Sequence, residues 1–76
     1  MEVVYKNSKA KVVKCWNSYE VHTLSTRNYD GIVDTDWNLS CTYGEWYCRD
    51  WLGRTIEYRE KHDPLEDAIK EAKQYE

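Results

Sequence analysis

IVDTDWNLSCTYG, residues 32–44, is the stretch whose reading decides the fold. From Trp37 onward its apolar side chains fall on alternate positions, Trp37, Leu39, Cys41 and Tyr43, with Asn38, Ser40 and Thr42 between them. Successive side chains of a strand point to opposite faces, so period two predicts a strand over 32–43 with one buried and one wet face. Gly44 breaks the run. Upstream, Asn28-Tyr29-Asp30-Gly31 reads as a turn, because Gly supplies a positive φ angle and Asn and Asp tolerate one.

The same grammar continues on both sides. β-branched and aromatic residues predict strands over 2–6, 11–16, 19–26, 45–49 and 55–60, separated by short polar or glycine-containing breaks. Asp50-Trp51-Leu52-Gly53 has Asp first and Gly fourth, the preferences of a type I turn. In the last strand Ile56 and Tyr58 fall on one side, Glu57 and Arg59 on the other. A helix is predicted over about 64–75. Asp63 is placed to cap it, Pro64 takes the first helical position, and Leu65, Ala68, Ile69, Ala72 and Tyr75 form an apolar stripe. The expected fold is α+β: an antiparallel β-meander of five to six strands with one C-terminal α-helix packed on one face. It forms a single domain, residues 1–76, strand-rich over 1–61.

Size and composition narrow the function. A chain of 76 residues buries only about 60% of the surface its unfolded form exposes, which leaves little material for a deep catalytic pocket. Seven Tyr, four Trp and no Phe give many side chains with an apolar body and a polar tip, suited to half-wet surfaces and binding faces. The net charge of −3 is unevenly spread. Residues 1–27 sum to +3, residues 28–53 to −4 and the rest to −2. An acidic chain lacks the footprint of a stand-alone duplex binder. No apolar run approaches membrane length and no secretory leader opens the chain, so a cytoplasmic protein with no membrane partner is expected. Three cysteines do not make a secreted disulfide framework.

Each constellation that could carry chemistry falls short of its pattern. Cys41 and Cys48 stand seven apart, with Cys15, His22 and His62 elsewhere, whereas zinc knuckles pair ligands across two to four residues. Asp34, Asp36, Asn38, Ser40 and Glu45 match the ligand positions of an EF-hand loop, but Leu39 stands where the loop needs Gly and the flanks read as strands. No cysteine is placed at a helix start or beside cations that would lower its pKa. No metal or cofactor is expected, and no enzymatic activity.

WYCRDWLGRTIEYREKHDPLEDAIKEA, residues 46–72, resembles in layout the small N-terminal DNA-binding domain of tyrosine-recombinase integrases: aromatic strand, polar turn with Gly and a basic residue, strand, then a helix containing Glu-Ala. The resemblance covers about the last third of the chain and implies a DNA-reading sheet. It departs where that family is generally basic, because Glu57, Glu60, Asp63, Glu66 and Asp67 stand here. Without phosphate-facing cations the dominant affinity term for duplex DNA is missing.

What remains is a surface. Trp51 and Leu52 occupy the centre of a turn, where side chains face water, and such residues are costly unless covered. The expected function is therefore non-catalytic protein binding. Small acidic accessory proteins of bacteriophages and mobile elements have this profile, inhibiting a host enzyme or defence complex by occlusion or nucleic-acid mimicry. The expected contact residues are Trp51 and Leu52 as anchors, Trp37, next to Asp34 and Asp36, extending the surface, and Asp34, Asp36, Glu45 and Asp50 as steering charge toward a basic partner protein. A second copy, paired through an uncovered sheet edge, is a further candidate partner. The first alternative is a nucleic-acid-binding sheet and helix module built on Lys6, Lys9, Lys11 and Lys14, and the second is a small metal-binding module.

Overall fold

A computed structural model describes residues 1–58, 60 and 63–76. Six strands, β1 (Glu2–Lys6), β2 (Ala10–Lys14), β3 (Ser18–Tyr29), β4 (Ile32–Gly44), β5 (Tyr47–Asp50) and β6 (Thr55–Tyr58), precede one helix, α1 (Pro64–Lys73). The strands form an antiparallel sheet in sequence order, so every connection is a hairpin. Arg59, expected in the last strand, and His62, weighed as a ligand, lie outside the described residues. Trp16, expected at the end of the second strand, lies beyond it in the β2–β3 turn and is fully exposed.

The decisive departure from the sequence pattern is in β4. Val21 pairs with Cys41, but His22 pairs with Leu39, so Ser40 is an extra residue in the ladder. One unpaired residue reverses which side chains face which way. Cys41 and Tyr43 therefore share a face with Val21 and Tyr19, while Leu39 and Trp37 stand on the opposite face with His22 and Leu24. The expectation that Trp37, Leu39, Cys41 and Tyr43 form one buried row is corrected accordingly. Similar irregularities fall at Val4 in β1 and Ile56 in β6. The bulge at Ile56 breaks the expected pairing of Ile56 with Tyr58 on one side, and both are mostly exposed.

Burial follows the bulge. Ala10, Val12, Val21, Cys41, Tyr43 and Cys48 form the buried cluster together with Ala68 and Ala72 of α1, and Leu65 and Ile69 pack against it. The helix contacts β2, β3 and β4. Its buried positions are both alanine, so its backbone approaches the sheet closely. Among the described residues, only Val12 and Val21 are large side chains with no exposure at all, each contributing about 1.5–3 kcal/mol by burial.

Hydrogen bonds tie the helix at both ends. The Asp63 carboxylate accepts from the amides of Leu65 at 3.0 Å and Glu66 at 3.4 Å. At the other end Asn7 joins two elements. Its Oδ1 accepts from the amides of Lys9 (2.9 Å) and Ala10 (2.8 Å), while its Nδ2 donates to the Ala72 carbonyl (3.0 Å). One side chain thus closes the β1–β2 turn and adds a donor to the Ala72 carbonyl in the last turn of α1, which also accepts from the Tyr75 amide at 3.1 Å. Tyr5 reinforces it by donating to the Glu76 carboxylate at 2.8 Å. Asn7→Ala is therefore expected to destabilise the protein by about 1–3 kcal/mol, through a partly buried group left unpaired. Asn17→Ala, in an exposed turn, is expected to change stability by less than about 0.5 kcal/mol. Urea denaturation of both variants measures the difference, and equal effects would remove Asn7 from this role.

Candidate functional site

The central hairpin outgrows the sheet. β3 and β4 run for 12 and 13 residues, whereas the other strands have 4 or 5. Pairing with β2 stops at Thr23, one further bond joining the Leu24 amide to the Lys9 carbonyl at 2.8 Å. Pairing with β5 stops at Cys41. Among the described residues, 25–29 and 32–36 consequently pair only with each other, from Ser25 opposite Asp36 to Tyr29 opposite Ile32. This two-stranded arm lengthens the molecule to 47 Å against 23 and 22 Å across.

The arm has the local chemistry to form without neighbours. Asp30 (φ 48°) and Gly31 (φ 84°) are both left-handed, the geometry of a type I′ turn, whose twist matches that of the flanking strands. The loop is these two residues, and Tyr29 belongs to β3 rather than to the turn expected over 28–31. At the base, Ser25 Oγ donates to the Asp36 carbonyl at 3.4 Å and accepts from Asn38 Nδ2. Tyr29 is 63% exposed, Ile32 70% and Val33 63%. By register Arg27, Tyr29, Ile32, Asp34 and Asp36 share one side, and Thr26, Asn28, Val33 and Thr35 the other.

The seven residues singled out from sequence are distributed over four places. Asp34 and Asp36 stand on the arm, and Asp36 Oδ1 accepts from the Trp37 amide at 2.9 Å. Trp51 and Leu52 sit on the β5–β6 turn, 64% and 53% exposed. Because Asp50 pairs with Cys41, that turn lies near the foot of the arm. Trp37 is on the opposite face, with the ammonium groups of Lys11 and Lys6 at 4.6 and 5.8 Å from its ring centre. Glu45 lies past the far end of β4, about 35 Å along the strand direction from Asp34 at the usual rise per residue. Asp50 spends its charge within its own turn. It accepts from the amides of Leu52 (3.0 Å) and Arg54 (2.9 Å) and from Arg54 Nε (3.0 Å). Sequence reasoning missed Tyr29, Ile32 and Val33, although the length of the strands around Asp30-Gly31 was a usable sign.

The EF-hand-like acids run along an extended strand, where Asp34 and Ser40 are about 20 Å apart, and so cannot converge. Among the described residues no three His, Cys, Asp or Glu side chains gather as a metal would require. Cys41 and Cys48 are buried and Cys15 is half-buried. Burial, with the Glu71 carboxylate nearby, pushes the Cys41 thiol up to about 11. Burial and Glu20 raise that of Cys15, so neither supplies the thiolate that a nucleophile or ligand needs. His22 Nε2 pairs with Glu20 at 3.0 Å. Among the described residues no helix is long and apolar enough to cross a membrane. No known family model, curated protein or solved structure matches this chain.

Two outcomes are expected. Iodoacetamide at neutral pH should modify Cys15 before Cys41, which is only 8% exposed, as read by mass spectrometry. Equal rates would mean that the helix face is open. Asp50 titrates below its ordinary value: partial desolvation raises it, but the bonds from Arg54 and Leu52 outweigh that. A depressed carboxylate stabilises the fold above its unfolded pKa, and that contribution is lost as pH falls through the folded value. The difference in melting temperature between the wild type and Asp50→Asn should therefore be constant above about pH 4 and shrink below it. A difference that stays constant on acidification would contradict the turn geometry.

Proposed function

We propose that this chain is a non-catalytic protein-binding module whose contact surface is the β3–β4 arm together with the Trp51-Leu52 turn near its foot. The observation that carries this reading is the arm itself. A lone two-stranded ribbon is marginally stable in water, and three or more strands or a covering element are needed to hold one firmly. An exposed ribbon with open edges is also a template for a partner's strand. Here it carries Tyr29, Ile32 and Val33 exposed at its tip, a combination that gains most from being covered.

Charge gives the partner's chemistry. Arg27 is outnumbered on the arm by Asp30, Asp34 and Asp36, so the fitting surface is basic with an apolar centre. Complementary charge steers the encounter and the aromatic and aliphatic groups supply most of the affinity. Occlusion of a basic, nucleic-acid-binding surface on a host enzyme or defence complex is the biological form this reading takes, in the manner of a bacteriophage or mobile-element inhibitor. Trp51 and Leu52 are the second contact.

The test is affinity capture from the native host with the wild-type chain and with the triple variant Tyr29→Ser, Ile32→Ser, Val33→Ser. The wild type should retain a specific protein that raised salt releases. The variant should lose it while unfolding within about 0.5 kcal/mol of the wild type, as exposed positions do. Undiminished capture by the variant would remove the arm from the contact.

A further inference from the structure

The bulge at Ser40 divides charge as well as apolar groups. Six acidic residues lie in the strands, and register places Glu2, Asp34, Asp36, Asp50 and Glu57 on the side that the helix shares. Only Glu20 falls on the open side, and it is paired with His22. The cations divide the other way, with Lys6, Lys11 and Arg49 on the open side and Lys14 and Arg27 on the helix side. An acidic chain thus presents one locally cationic sheet face.

That face also carries aromatic rings at the cations. Lys6 and Lys11 are direct cross-strand neighbours, a like-charge pair that repels. Both nevertheless lie within cation–π range of the same ring, Trp37. Arg49 lies 4.4 Å from the centre of the Tyr47 ring, and Tyr47 pairs with Tyr58, which is 85% exposed. Lys11 and Arg49 stand three strands apart, roughly 14 Å at the usual strand spacing. An anion between the two lysines relieves their repulsion, and a row of anions crossing the sheet meets all three cations.

We infer that this open sheet face binds single-stranded nucleic acid, with phosphates on Lys6, Lys11 and Arg49 and bases against Trp37, Tyr47 and Tyr58. The chemistry favours single strands. Rings standing on a sheet stack on bases that are unpaired, whereas a duplex offers only its phosphates. The residues are distinct from those of the arm: Tyr29, Ile32 and the arm's acids lie on the other side of the ribbon, and Val33, on the open side, stands at the tip about 13 Å along the strand from Trp37, so the two contacts succeed or fail separately.

Fluorescence anisotropy of a labelled oligothymidylate of about 20 nucleotides tests this with the full chain. Three phosphate contacts on a single strand give a slope of about −2 in log K against log salt, so binding should weaken about a hundredfold between roughly 20 and 200 mM salt. The variant Lys6→Gln, Lys11→Gln, Arg49→Gln should bind at least about tenfold more weakly at low salt with an unchanged circular dichroism spectrum. If that variant does not fold, Arg49→Gln alone should reduce the slope by about 0.7. An equal-length duplex and polyglutamate should both bind more weakly than the oligothymidylate. No binding at low salt would overturn the inference, as would a folded variant or single substitution that binds like the wild type. Equal affinity for the duplex would reduce the face to unspecific charge, and equal affinity for polyglutamate would assign it to an acidic protein segment. Either of these results also overturns the inference.

Discussion

A single extra residue in a ladder sets up the molecule. Because Ser40 has no partner of its own, Val21 faces Cys41 while His22 faces Leu39. Strand side chains alternate strictly, so an inserted residue is the only way for one continuous apolar run to serve two faces. Below the bulge, Cys41 and Tyr43 complete the cluster that receives Ala68 and Ala72 of α1. Above it, Leu39 and Trp37 turn outward beneath the lysines. Had β4 kept its register, all four residues would have stood on the same side as Val21.

The second consequence concerns stability. The buried cluster lies in the helix-covered part of the sheet, where β2 to β5 flank one another. Beyond Leu24 and Trp37 the described contacts of the ribbon are its own cross-strand bonds, its type I′ turn and the Ser25–Asn38–Asp36 links at its base. Local stability follows buried apolar contact and protected backbone bonds, so the body and the arm belong to opposite ends of the range. Binding elements are commonly drawn from the less stable end. That is the physical sense in which a firm body with a weakly supported arm suits a recognition role.

Much of the fold was legible in the sequence because it is locally determined. The number of strands, their hairpin connections, Asp63 and Pro64 at the start of α1, and the Asp50–Gly53 turn all follow from residues within a few positions of one another. The bulges were not legible. Alternation in 37–43 is perfect as a pattern, and what breaks it is the competition between β3, β5 and the helix for the same strand, a non-local matter. The same holds for the site. Trp51 and Leu52 could be marked as surface residues because a turn exposes its centre. Trp37 and the pair Asp34 and Asp36 were grouped by proximity in sequence and parted by the pleat. The arm depended on where β2 and β5 stop, which sequence reading with strand boundaries a few residues loose could not fix.

Both surfaces inherit their composition from the register of β4, so the register is what an experiment should settle first. Cross-strand nuclear Overhauser contacts in the labelled protein measure it directly. The account predicts contacts joining Val21 to Cys41, His22 to Leu39 and Leu24 to Trp37, with no cross-strand partner for Ser40, and Trp37 ring protons near Lys11 rather than near Ala68. An unbroken ladder in which His22 faces Ser40 and Thr23 faces Leu39 would contradict it.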